Sequence, residues 1–554
     1  MILRLMLALL IAACSLPARA EPLLVSNVNG YTLDGEGRLH RFEALLLEGG
    51  RVIDAGSEDA LRARAPQARI HDGHGHTLLP GLIDAHAHVM GLGFGLRQID
   101  LAGTRSLDQA LDAVRKHAAG KPDAAWIVGR GWNQVLWRLG RFPTADELDR
   151  AVTDRPVWLS RVDGHAGWAN SAALAIAGID RNTPDPVGGR IERDAQGRAT
   201  GILIDAAMAL VEAKIPASGA AESEAALDAA LTTMASVGIT SVHDAGIDTD
   251  TFALFRRFAD AGRLGTRIYA MIGGVAADFD AIAAAGPLIG YGDDRLTVRS
   301  VKLFADGALG SRGAALLAPY SDDPDNHGLL FQDTHTLVAM IGKALARGYQ
   351  VNVHAIGDGG NRQVLDAFSL AYKAGGGREL RNRIEHAQVV ALEDIPRFAP
   401  LQLIASMQPT HATSDMNMAE DRVGPDRIRG AYAWQRFHAQ GTVIAAGSDF
   451  PVESPNPFFG LHAAITRQDH DDQPDGGWYP AQRLTREEAL RAFTLDAAFA
   501  AHQEDALGTL EAGKWADFIL VDRDIFTVDA KDIWRTQVLE TWVGGTRVFE
   551  RAVP

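Results

Sequence analysis

Short apolar runs bounded by glycine, proline and polar turns recur along the chain and alternate with longer stretches of helical periodicity. After residue 237 the alternation becomes regular. Strand-like runs fall at 239–242, 267–271, 298–304, 350–353, 383–385, 403–406 and 443–446, with helical stretches such as 222–236 and 334–347 between them. The run Leu78-Leu79-Pro80-Gly81-Leu82-Ile83-Asp84-Ala85-His86-Ala87-His88 adds an earlier strand and makes eight. Strands alternating with helices predict a parallel sheet, and eight units predict an α/β fold closed as a (β/α)8 TIM barrel. Chemistry in such a barrel sits at the C-terminal ends of the strands.

The flanks read differently. Residues 21–77 carry short strands and turns, including a hairpin over 44–53 about Gly49-Gly50, and strand-like runs return at 513–522 and 538–549 with a Gly544-Gly545 turn. These predict a small β-sandwich-like domain built from both termini, 21–77 and 501–554, bracketing a barrel over 78–500. An insertion at about 100–237 separates the first strand from the second and is expected to fold over the active-site mouth. Within it 107–118 is helical, 125–128 and 156–160 are strand-like, and 185–201 is rich in turn residues. Gly129-Arg130-Gly131-Trp132-Asn133 and Asp163-Gly164-His165 read as turn chemistry or as substrate contacts. His74-x-His76 lies in a glycine-rich connector and reads as surface.

At 554 residues and 47% hydrophobic content the chain can bury a large core, and a net charge of -16 with no basic run argues against gripping nucleic acid or anionic lipid. A small-molecule substrate is the expected partner. Residues 1–20, MILRLMLALLIAACSLPARA, read as a signal peptide with an Ala18-Arg19-Ala20 cleavage site, so a periplasmic or secreted protein is expected. Ile11-Ala12-Ala13-Cys14 also fits a lipoprotein box, which would anchor the chain to a membrane at Cys14. Cys14 is the only cysteine, which excludes internal disulfides, thiolate zinc sites and a cysteine nucleophile in the mature chain.

Alternate strand residues share a face, so His86 and His88 can approach one metal ion together. Strand four carries Lys302, strand five ends at His354, strand six at His386 and strand eight at Asp449. Each alone reads as a core histidine, a helix cap or a snorkelling lysine. In this strand order five strands deliver ligand-type groups to one rim, which predicts a metal site.

The segments PGLIDAHAH, GITSVHDAG, VKLFADGALGSR, VNVHAIGD, RIEHAQ, GSDFPV and GKWADFILVDRD resemble the amidohydrolase superfamily, in particular its YtcJ-like branch with N-substituted formamide deformylases. The resemblance implies two divalent ions, zinc first with manganese or iron as alternatives. His86 and His88 would hold the more buried ion, His354 and His386 the more exposed one, and Asp449 would serve as ligand and proton carrier. Lys302 would be N6-carboxylated and bridge the ions; an unmodified lysine, paired with Asp306 beside one metal, is the alternative. The implied reaction is hydrolysis of a non-peptide C–N bond (amide, formamide or cyclic amide) by a metal-bridging hydroxide. His243, Arg312, His165 and Trp132 are candidates for holding substrate or oxyanion, with strand capping and surface ion pairing as the other readings of the first two. A mononuclear-metal deaminase and a metal-free binding or scaffold barrel are the competing functions. Oligomeric state is open, a homodimer included.

Overall fold

The computed structural model describes residues 21–552. The export-signal and Cys14 anchor readings lie outside that range. Eight strands pair in parallel in sequence order: β1 (Leu82–Ala87), β2 (Ile239–Ile247), β3 (Arg267–Gly273), β4 (Leu296–Phe304), β5 (Gln350–Ala355), β6 (Arg383–His386), β7 (Ile404–Met407) and β8 (Ile444–Ala446), and the short strand Leu288–Gly290 joins the same sheet antiparallel to β4. The barrel nearly closes. Where the eighth strand returns to the first, the Asp449 N–H donates to the His86 carbonyl (2.7 Å) and the His88 N–H to the Phe450 carbonyl (2.8 Å). Asp84 adds a side-chain clamp across the same seam, accepting from the Ser448 amide (3.0 Å) and hydroxyl (2.6 Å). Gly447 is required there because a Cβ would stand 2.5 Å from the His86 nitrogen. The barrel strands are almost wholly buried on both faces, with polar groups such as Asp84, Asn352, Arg383 and Glu385 sealed among the apolar ones.

Outside the barrel, Thr77–Pro80, Asn29–Leu33 and Leu39–Phe42 from the N-terminal part join Phe518–Val521, Val538–Val543 and Thr546–Glu550 from the C-terminal part in one six-stranded sheet. A four-stranded sheet, Leu23–Ser26, Ala44–Glu48, Arg51–Gly56 and Arg69–Asp72, packs on it through Val25, Leu45, Leu47, Leu78, Phe518, Leu520 and Trp542. Asp517, leading into the C-terminal strands, takes a bidentate pair from the buried Arg267 of β3 (2.7 and 3.0 Å) and ties this unit to the barrel.

The insertion carries a six-stranded mixed sheet of its own, backed by the helix Leu107–Gly120. Here the structure corrects the sequence reading of 185–201 as turn-rich. Gly189–Arg193 and Ala199–Asp205 pair as an antiparallel hairpin. Only its tip is turn: Asp194 accepts from the amides of Gln196 and Arg198 (2.9 Å each) and from the Arg198 guanidinium (2.7 Å). The turn residues of this stretch fall mainly ahead of the hairpin, at 185–188, and in its tip, whereas the strands bury Ile191 and 202–204.

Candidate active site

The C-terminal rim of the barrel opens into a cavity of about 1120 Å³ lined by His165, His354, His386, His411 and Asp449, and by residues of the insertion. His86, 0% exposed, lies beneath them. Its ring centroid is 5.7 Å from His88 and 4.8 Å from His386, which is in turn 4.5 Å from His354. Lys302 points inward from β4 with Nζ 3.0 Å from His86 Nε2. Asp449 Oδ1 stands 3.2 Å from His88 Nε2 and 3.6 Å from His86 Nε2. The six residues expected at the rim therefore lie in one cluster, of which His354, His386 and Asp449 line the cavity. Single ligand atoms of His86, His386 and Asp449 all fall within 4.8 Å of one another.

Neighbouring polar groups orient these donors. His86 Nδ1 bonds the Glu385 carboxylate and His386 Nδ1 bonds Gln408 Oε1 (2.8 Å), so each ring turns Nε2 toward the shared space. Glu385 is itself held by Arg383, fully buried, through Nε (2.7 Å) and a terminal nitrogen (2.9 Å). The same guanidinium donates to the Ala85 carbonyl (2.6 Å) and to the Ser406 hydroxyl (2.9 Å), binding β1, β6 and β7 under the site. Asp306 accepts three backbone amides, from Ala315, Ile356 and Gly357 (2.8–2.9 Å), and fixes the loops after β4 and β5. His386 and Asp449 both adopt positive φ (74° and 60°), backbone strain placed at two of the groups that could hold a metal ion.

Burial dominates the electrostatics. It brings the Lys302 ammonium down to about 8 and His86 to about 4, and raises Asp84 and Asp306 to about 7. Burial also opposes ionisation of Asp449, yet His88, His86 and His411 outweigh it and hold the carboxyl well below the usual range. Asp449 Oδ1 is buried with no hydrogen-bond partner of proper geometry, as is His411 Nε2. The unpartnered Asp449 oxygen, beside imidazoles of His86 and His386 whose far nitrogens are already committed, is the kind of donor group that could hold a metal ion.

The remaining candidates divide. His165 reaches the site: it lines the cavity, 5.1 Å from the His354 ring, and its Nδ1 is 2.6 Å from Asp205. Trp132 does not. It is 0% exposed in the insertion core, between Trp137, Phe142 and Trp168, with Nε1 donating to the Leu159 carbonyl (2.7 Å), so the expected substrate contact is corrected to a packing role. Arg312 is likewise corrected: it pairs with Asp322 (2.9 Å) and is not among the residues lining the cavity. His243 is sealed below the site, where Nδ1 is 3.0 Å from Arg383, and it too does not line the cavity. Lys302 makes no pair with Asp306, whose oxygens are taken by backbone amides.

His411, Glu385 and Gln408 are the site groups that sequence reasoning missed. Glu385 directly precedes His386 in the strand Arg383–His386, where only Ile384 is apolar, so its charge did not stand out. His411 lies in the helix Pro409–Asp415 after β7, a strand end that carried no ligand-type residue.

Comparison with known proteins agrees with this geometry. The profile described as "Amidohydrolase family" matches residues 69–549. The putative amidohydrolase YtcJ of Bacillus subtilis is 33% identical over 531 residues, covering 94% of this chain and 98% of its own. The N-substituted formamide deformylase of Arthrobacter pascens is 28% identical over 546 residues, 96% and 98% of the two chains. Among solved structures, an uncharacterized metal-dependent hydrolase from Pyrococcus horikoshii superposes with a TM-score of 0.74 at 26% identity, over 92% of this chain and 99% of its own.

Proposed function

We propose, from the premise that this chain belongs to the amidohydrolase family and is a metal-dependent hydrolase, that it cleaves a non-peptide C–N bond in a small amide, formamide or cyclic amide. The observation that carries the reading is the inward-turned donor set: Glu385 and Gln408 occupy the outer nitrogens of His86 and His386, leaving Nε2 of each beside Asp449 and Lys302. The deformylase relative supports amide chemistry on this scaffold.

His86, His88, His354, His386 and Asp449 would hold two divalent ions, zinc first and manganese or iron as alternatives. Lys302 would bridge them as its carbamate. When bound, the ions would supply an activated water and would polarise the scissile carbonyl. Lys302 is suited to carboxylation because burial disfavours its ammonium form, and the neutral amine adds carbon dioxide with loss of one proton. Asp449 takes a proton from the attacking water and returns it to the leaving nitrogen. His165, its Nδ1 engaged by Asp205, offers Nε2 to the substrate oxygen. The residues of 1–20 support an exported enzyme acting on an environmental compound.

Metal analysis of the purified protein, followed by a screen of formamides, N-acyl amines and cyclic amides, tests the reading. Two ions per chain and release of amine are expected. Tight binding of a single ion with release of ammonia from an amidine-like ring would favour the deaminase instead, for which the three-residue group His86, His386 and Asp449 is the supporting observation.

A further inference from the structure

Glycines flank Arg130 in the insertion strand Ile127–Trp132, and the backbone there does something a regular strand cannot. Residues two apart on a strand share a face, so Arg130 and Trp132 would point the same way. The register slips between them: Arg130 pairs with Ser160, Trp132 with the next residue, Arg161. Gly131, at φ +92°, is the extra residue of this bulge, and a Cβ on it would stand 2.7 Å from the Ala102 nitrogen. Trp132 consequently enters the insertion core while Arg130 lines the catalytic cavity.

Arg130 is half-buried, and no carboxylate lies within ion-pair distance of it among the described residues. Among the described residues its one side-chain hydrogen bond runs from a terminal nitrogen to the Val162 carbonyl (3.2 Å). The carboxylates in its surroundings are committed elsewhere. Asp163 pairs with Arg161, Glu453 accepts from the Ser414 hydroxyl, Asp100 accepts the Ala102 amide (2.8 Å), and Asp449 sits among the histidines. Among the other charged groups on the cavity wall, Asp415 is satisfied by Tyr432 and Gln388 and Arg161 by Gln134 and Asp163, while Arg105 and Arg138 are exposed to solvent. A guanidinium drawn partly out of water with most of its N–H groups open is an anion receptor, and its planar fork matches a carboxylate.

We propose that Arg130 is the specificity residue of this site, binding a carboxylate carried by the substrate, so that the preferred substrates are acidic amides of the N-acyl amino acid type. The inference rests on the amide-hydrolase reading above. It separates from that reading because Arg130 governs which amide is chosen, and the barrel residues govern whether any amide is cut.

The experiment compares N-formyl- and N-acetyl-leucine with their C-terminal carboxamides as substrates of the metal-loaded wild-type protein, Arg130→Gln and Arg130→Lys. Binding of each pair is also followed by calorimetry, with circular dichroism confirming the fold. The wild type should favour the carboxylate in kcat/KM by about 10²-fold, a difference lying mostly in KM, because a charged partner left unmatched is costly. In Arg130→Gln that ratio should collapse toward one in both turnover and binding. Arg130→Lys should keep part of it, retaining the charge but not the fork. A ratio near one in the wild type, or one unmoved by Arg130→Gln, overturns the inference while hydrolysis of either substrate leaves the enzyme class standing. Arg130-dependent binding of the carboxylates without hydrolysis of any amide supports Arg130 as the receptor and overturns the hydrolase reading instead.

Discussion

Replacing Glu385 with glutamine isolates the contribution of the buried group that aims His86. In the wild type the Glu385 carboxylate receives two N–H bonds from Arg383 and one from His86, all three residues being essentially removed from solvent. Glutamine keeps the shape and one acceptor oxygen but presents an amide where the other oxygen stood. The Arg383 charge is then left buried without its counterion, a change that costs about 3–5 kcal/mol. The bonds from Arg383 to Ala85 and Ser406 survive, which places the expected loss near the lower end, about 3 kcal/mol. His86 loses the carboxylate that fixes its tautomer, and removal of such an outer partner lowers metal affinity about 10–100-fold. Urea unfolding of the metal-free protein measures the first effect, and competitive titration with a chromophoric chelator measures the second. Metal affinity within threefold of wild type, alongside the full loss of stability, would refute the idea that Glu385 aims a ligand and reduce it to a partner of Arg383.

Asp449→Asn should cut turnover by at least ~10²-fold while much of the metal stays bound, since the amide oxygen can still coordinate but shuttles no proton; rapid-quench kinetics with parallel metal analysis checks this. Lys302→Ala should drop the metal count toward one, and acetate should restore part of both metal and activity, whereas Lys302→Arg should restore nothing because a guanidinium cannot become a carbamate. Trp132→Ala should destabilise the insertion by about 3–5 kcal/mol, read as early protection loss in hydrogen exchange over 99–205, because it empties a fully buried ring site. His502, held near 4 by burial and by Arg299, binds its proton less readily in the fold than in the unfolded chain. Its share of stability is therefore present above pH 6.5 and lost as pH falls from 6.5 toward 4, and His502→Gln should flatten that part of the urea-midpoint profile.

The barrel was legible because short strand-like runs recur between helical stretches and several of them end in residues that no core would choose. The expected run at 403–406 and the observed Ile404–Met407 differ by one residue, and the other strands after the insertion begin within two residues of expectation. His354, His386 and Asp449 were readable for the same reason: strand order alone brings their ends to one rim. Glu385 escaped because nothing in a linear pattern distinguishes a buried carboxylate paired with Arg383 from a solvent-facing one. Trp132 and Arg130 exchanged importance at a single bulge. A strand pattern assumes alternation, and only the packing of Gly131 against Ala102 reveals where alternation breaks. His411 depends on the course of a short helix after β7, which local sequence does not determine.

The sheet joining the two ends of the chain also sets the order in which the protein can be completed during synthesis. Thr77–Pro80 is flanked by Asn29–Leu33 on one side and by Phe518–Val521 on the other, and it leads through Gly81 into the strand that carries His86. At a ribosomal rate of ~5–20 residues per second, the roughly 440 residues between Pro80 and Phe518 keep that edge waiting for about 20–90 s. Throughout that interval the nascent chain presents an apolar strand with one open edge shortly ahead of His86. A chaperone or translocation partner able to shield residues 77–80 would guard the assembly of the catalytic floor before the last strands arrive.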